Sequence, residues 1–406
     1  VDYTEQEKDI KLTGLIGLQI HSGKPAEAWY KEVRIKHISQ KSVGQSEAGL
    51  ATTDVFVSGD GGYHTYRIPA LIRGKKGTLL AFCEGRKTNR SDHGDLDLVL
   101  RRSLDQGQTW QPMQLVYEEG GTKKITIGNA CPVVDQSNGR IWLPFCRDND
   151  DVLMTYSDDE GQTWSKPEDI TSDVKRPGWT WYATGPGVGI QLKHSDHKGR
   201  LVIPCDHREP MDGKMVTVSH AIYSDDHGKS WKLGENVAPH TNECQVVELG
   251  DGRLQMNMRN YWGREGGKPD RHAKRAIATS SDGGETWEDL RFDDTLIEPV
   301  CQASVIKVET DAPSDVLLFS NPASKTTRHR LTVRLSRDGG ETWPTSKLLH
   351  EGPAAYSCLC QLPGGKIGCL YEASQEPDVN SDKTRTSAHP YQRIVFASFG
   401  MNWLRK

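Results

Sequence analysis

The chain lacks any run of 18 apolar residues, so no part of its 406 residues is suited to cross a bilayer as a helix, and membrane insertion is not expected. It also lacks an excess of charge of either sign. With 51 basic and 55 acidic residues the net charge is −4 with histidine neutral. That balance gives no general affinity for nucleic acid and confines anion recognition to a local site. A disulfide framework is missing too. The nine cysteines, Cys83, Cys131, Cys146, Cys205, Cys244, Cys301, Cys358, Cys360 and Cys369, are odd in number, scattered, and mostly flanked by apolar or aromatic residues. Free thiols packed in strands have this distribution. Cys358-Leu359-Cys360 puts two thiols on one strand face, but no second pair stands at ligand spacing, so no metal site is expected there. No signal segment is visible, and Val1 in place of Met predicts a processed or trimmed product.

What is present is a repeat. Ser-x-Asp-x-Gly-x-Thr/Ser-Trp starts at Ser103, Ser157, Ser224, Ser280 and Ser336, at spacings of 54, 67, 56 and 56 residues. Each copy follows a short β-branched or apolar run such as Asp97-Leu98-Val99-Leu100. A unit of this length holds about four strands and buries its faces only by stacking on copies of itself. The Asp carboxylate can accept backbone N–H bonds, the Gly tolerates positive φ, and the Trp can lie over apolar side chains between sheets. Five similar turns cannot converge on one small site, so they read as scaffold. Forty glycines and 11 tryptophans agree with many short strands.

The expected fold is therefore an all-β, six-bladed β-propeller spanning 52–406, with the sixth blade shared between the chain ends. The run Arg393 to Phe399, which no octapeptide follows, is expected to pair with a strand near Asp54-Val55-Phe56-Val57 and remove the open edges. Residues 1–42 carry no octapeptide. Leu15 to His21 and Trp29 to Lys36 nearly alternate, which suggests two strands; they resemble the closing strands of a jelly-roll sugar-binding or sugar-processing module. A polar linker, 43–51, joins the two parts.

Several polar residues interrupt the pattern. Arg67 opens an apolar strand in Tyr66-Arg67-Ile68-Pro69, where a lone arginine is as readily a rim ion pair. With the repeated octapeptides behind it, this segment resembles that of an exo-α-sialidase (neuraminidase), and the resemblance extends over Thr52 to Lys406. It implies three arginines converging on a substrate carboxylate: Arg67, Arg259 in Gln255-Met256-Asn257-Met258-Arg259-Asn260, and Arg328, with Arg330 a competitor because alternation lets the two share a face. Guanidinium groups stay charged and offer a planar fork to a carboxylate.

The resemblance further implies Glu243 and Tyr356 as base and nucleophile, Asp92 as general acid, Arg86 as a supporting arginine near the acid loop, and Glu372 as the carboxylate that orients Arg67. A phenol suits this attack because sialic acid carries its own carboxylate beside the anomeric carbon, which repels an attacking Asp or Glu. Taken alone, Tyr356 would read as a half-buried strand aromatic. Asp92, Asp95 and Asp97 could instead hold calcium, though without the full ligand spacing of a known loop. The segment Gly178 to Gly187 suits either a sugar-site wall or packing between blades.

The implied activity is a retaining exo-α-sialidase acting on sialylated glycans through a tyrosyl-sialosyl intermediate, with no metal or organic cofactor. Two alternatives remain, a trans-sialidase and a non-catalytic sugar-binding propeller. By resemblance the location is secreted or periplasmic.

Overall fold

The computed structural model describes residues 49–267, 269–310, 315–374 and 389–405. The N-terminal β segment expected at 1–42 and most of the linker lie outside those residues. Among the described residues no helix is long and apolar enough to cross a membrane, and nearly all regular structure is antiparallel strand.

Four sheets are blade-like, with four or five strands each. The first comprises Thr65–Arg73, Leu79–Arg86, Leu96–Ser103 and Gln114–Tyr117. The second is built on Ile141–Arg147 and Asp151–Ser157, and the third on Leu201–Met211 and Lys214–Ser224 with Trp181–Thr184 outside them. The fourth comprises Thr241–Glu248, Leu254–Asn260, Lys274–Ser280 and Glu288–Ile297.

The expected six blades are not found. The remaining described strands form one continuous seven-stranded sheet, so the architecture is four blades plus this separate larger sheet. The cause is the 17-residue strand Thr345–Gln361. Its first half pairs with His329–Ser336 and its second half with Lys366–Ala373. The strand continues through Gly352 and Pro353, with register shifts beside Leu331, and passes its hydrogen bonds from one neighbour to the other. Two sheets that the repeat predicts as separate blades are thereby fused. The closing pair does form: Leu50–Val57 runs antiparallel to Arg393–Gly400, with Asp54 opposite Val395 and Phe56 opposite Ile394.

The cores lie between neighbouring sheets. Leu80, Phe82, Leu98 and Leu100 of the first blade pack with Ile141, Leu143 and Phe145 of the second, all fully buried; each such side chain contributes about 1.5–3 kcal/mol of burial. The octapeptide turns fasten these layers. In the first, Ser103 Oγ donates to Asp105 at 2.8 Å and accepts the Gly107 N–H at 2.8 Å, while Asp105 accepts the Thr109 N–H at 2.9 Å. Gly228, at φ +86°, shows why glycine is needed: a Cβ there would stand 2.2 Å from the Trp142 ring of the preceding blade. Trp231 then meets the same ring edge-on at 6.5 Å. All nine cysteines are free and eight are buried.

Candidate active site

A cavity of about 390 Å³ collects seven of the eight expected site residues on its lining: Arg67, Arg86, Asp92, Glu243, Arg259, Arg328 and Tyr356. Glu372 lies fully buried behind Arg67 and Tyr356.

Strand irregularities deliver the key side chains. In a regular strand, neighbours point to opposite faces. The ladder shifts register between Arg67 and Ala70, between Thr241 and Cys244, and between Ala354 and Ser357. Arg67 stands at the edge of the first interruption, and Glu243 and Tyr356 fall inside the other two. The consequence is visible on the lining, where the consecutive residues Arg67 and Ile68, and Asn242 and Glu243, both reach the cavity. Bulges beside a site re-aim side chains in this way. Ile68 adopts φ +61° to do so.

The Tyr356 hydroxyl donates to Glu243 Oε1, and Arg259 Nη1 reaches both Glu243 Oε2 at 2.8 Å and the phenol oxygen at 3.2 Å. Burial, then the Glu243 charge, push the phenol well above its ordinary pKa, against the pull of Arg259, Arg328 and Arg67. The phenol is therefore held protonated, with its hydroxyl directed at Glu243. Glu372 organises the other side. Its oxygens accept from Arg67 Nε at 3.1 Å and Nη2 at 3.3 Å, from the Ile68 N–H at 2.9 Å and from the Tyr356 N–H at 3.1 Å. Burial opposes the Arg67 charge, but Glu372, Tyr391, Tyr356 and Asp92 together keep the guanidinium protonated.

Asp92 sits at the mouth with its side chain 65% exposed, 3.0 Å from Arg67 Nη1 and 2.8 Å from Arg86 Nη1. Desolvation works to raise its pKa, and these two guanidinium groups overcome it, holding the carboxyl below its usual range. Arg86 is fixed from behind by buried Glu84 at 2.7 Å. Asp95 and Asp97 do not join Asp92 in a ligand cluster; both pair with Lys87, at 2.9 and 3.2 Å.

Of the two competing arginines, Arg328 lines the cavity and Arg330 pairs with exposed Glu351 at 2.7 Å. The aromatic segment divides: Trp181 lines the cavity, while Trp179 and Tyr182 are buried in packing. Sequence reasoning missed Tyr391, whose hydroxyl accepts from Arg328 at 2.8 Å and whose ring lies 4.1 Å below the Arg67 guanidinium. It also missed Asn242 and Asp206. A lone tyrosine far from every motif carries no local signal; Asp206, an acidic residue inside the apolar run Leu201 to His207, could have been flagged.

The arrangement offers three guanidinium groups for an anion, a phenol bonded to a carboxylate base, and a second carboxyl at the mouth. The family model for a BNR repeat-like domain matches residues 77–369. A sialidase of Micromonospora viridifaciens is 35% identical over 377 residues, covering 86% of this chain and 54% of that protein. An exo-alpha-sialidase of Aspergillus fumigatus is 30% identical over 400 residues, covering 88% of this chain and 89% of that protein. Among solved structures, a Hadza microbial sialidase superposes with a TM-score of 0.74 at 30% identity, covering 87% of this chain and 69% of that one. The chain spans about half the length of the Micromonospora relative. With its repeats, its arginine-lined cavity and these likenesses, the chain belongs to the sialidase family.

Proposed function

We propose that the chain is a retaining exo-α-sialidase that releases terminal α-linked sialic acid from glycans through a tyrosyl-sialosyl intermediate on Tyr356. The observation that carries the reading is the Tyr356 hydroxyl bonded to Glu243 beneath three convergent arginines. A site that only binds sugar needs the arginines but not a phenol paired with a base.

Arg67, Arg259 and Arg328 hold the substrate carboxylate, which places the anomeric carbon over the phenol oxygen. Glu243 takes the phenol proton as that oxygen attacks, and Asp92 gives its proton to the departing glycosidic oxygen. Water then enters from the mouth, Asp92 removes its proton, the sugar–tyrosine bond breaks, and the phenol recovers its proton from Glu243. The first step needs Asp92 protonated, although Arg67 and Arg86 hold it ionised in the empty site. A bound substrate supplies the change: its carboxylate offsets the Arg67 charge and its ring covers Asp92, and both effects raise the pKa.

The test is product analysis with purified, folded protein on α2,3-, α2,6- and α2,8-linked glycans. Free sialic acid is expected. An anhydro sugar would assign intramolecular transfer, and no release from any linkage would favour the binding module.

A further inference from the structure

Asp206 lies in the strand Leu201–Met211, opposite Ala183 on one side and Ser219 on the other. It borders the active-site cavity and is fully buried. Its Oδ2 accepts from Asn242 Nδ2 at 2.6 Å, and its Oδ1 has no hydrogen-bond partner. Among the described residues no cation stands within ion-pair distance of it. Asn242 is the residue before Glu243 in the same ladder interruption, and its backbone carbonyl is anchored by Ser219 Oγ at 2.7 Å. Asp206 therefore reaches the base through one side chain.

A carboxylate here would be an unpaired buried charge, a state that costs far more than keeping the proton. The groups facing it relieve that cost only in part. The Glu243 carboxylate repels it, the Tyr182 and Tyr261 phenols and the Cys146, Cys205 and Cys244 thiols are neutral, the Trp181 indole and the Asn242 amide favour its charge, and the Arg259 guanidinium is engaged by Glu243 and Tyr356. Burial and then Glu243 push Asp206 well above the ordinary carboxylate range, and Arg259, Trp181 and Asn242 recover only part.

We propose that Asp206 is a positioning residue of the sialidase reaction, an uncharged carboxylic acid that clamps Asn242 and so fixes Glu243 against the Tyr356 hydroxyl. The proposal rests on the reading of Glu243 as the base, and the role of Asp206 is indirect: its side-chain hydrogen bond runs to Asn242 and not to Glu243 or Tyr356.

The experiment compares wild type, Asp206→Asn and Asp206→Ala. Asn keeps an acceptor for Asn242 without a charge; Ala leaves that buried amide unpaired. Asp206→Ala is expected to lower kcat about 10-fold or more with KM changed little, since the lost contact orders the base and not the carboxylate site. Asp206→Asn is expected to restore kcat to within about threefold of wild type. An activity-independent readout is the infrared difference spectrum, wild type minus Asp206→Asn, at neutral pH, which should contain a protonated-carboxyl C=O band. Equal losses in both variants, wild-type kcat in a merely less stable Asp206→Ala, or a carboxylate band in place of the acid band would overturn the inference. An inactive wild type that still shows the acid band would instead count against the sialidase reading while leaving the protonated Asp206 in place.

Discussion

Arg67 and Glu372 form a buried two-point ion pair, Nε to Oε1 at 3.1 Å and Nη2 to Oε2 at 3.3 Å, with side chains 5% and 0% exposed. The same carboxylate holds the Tyr356 N–H, so one buried acid sets both a cavity-lining arginine and the phenol's backbone. Glu372→Ala leaves the Arg67 charge buried with less compensation and is expected to cost about 3–5 kcal/mol. Denaturant unfolding of wild type and variant checks this; an unchanged midpoint at equal m-value would remove the pair from the stability account.

Acid should destabilise the third blade before it protonates ordinary carboxylates. His207 stacks on Trp179 with centroids 3.3 Å apart, and its Nδ1 lies 2.9 Å from that of His220. Burial lowers the His207 pKa to about 3, and burial with the neighbouring His207 lowers that of His220. An unfolded histidine titrates near 6.5, so below about that pH the unfolded chain binds protons that the folded chain refuses. This contribution is full above pH ~6.5 and is lost progressively as pH falls from there. His207→Phe, which can keep the stacking, is expected to flatten the decline in unfolding midpoint between pH ~6.5 and ~4.5. A decline as steep as that of wild type would exclude His207 as its source.

Asp92 is expected to matter in proportion to how much help the leaving group needs. Asp92→Asn should reduce kcat/KM on natural glycans by about 10²- to 10⁴-fold while sparing an aryl sialoside far more, because a phenolate leaves with little protonation. Parallel kinetics on the two substrates, with and without a chelator, decide the matter. Equal losses would end the general-acid assignment, and chelator sensitivity of the wild type would point to a cation at the loop.

The set of residues that gather at the cavity was more legible than the architecture. Arg67, Glu243, Arg259, Arg328 and Tyr356 could be read because each lies in a short segment whose pattern is distinctive beside the octapeptides. The placing of Arg67, Glu243 and Tyr356 depends on the ladder interruptions, which leave no mark in composition. Tyr391 was not legible, since its contact with Arg328 spans 63 residues and no local pattern predicts it. The repeat predicted sheets of about four strands and the closing pair of Leu50–Val57 with Arg393–Gly400. It could not predict the missing break between the last two. No octapeptide follows Trp343 to mark a turn there, and the strand Thr345–Gln361 continues from one neighbour to the next.

The central claim is the covalent role of Tyr356, and a variant that stalls after the first step tests it most directly. With Asp92→Asn and an aryl sialoside, attack by Tyr356 needs no acid, while release by water loses its base, so the intermediate should accumulate. Peptide mapping by mass spectrometry after rapid acid quench is expected to find one sialosyl group on the peptide bearing Tyr356, and none in Tyr356→Phe with Asp92→Asn. A sialosyl adduct on Glu243, or the same adduct persisting when Tyr356 is replaced, would contradict the account.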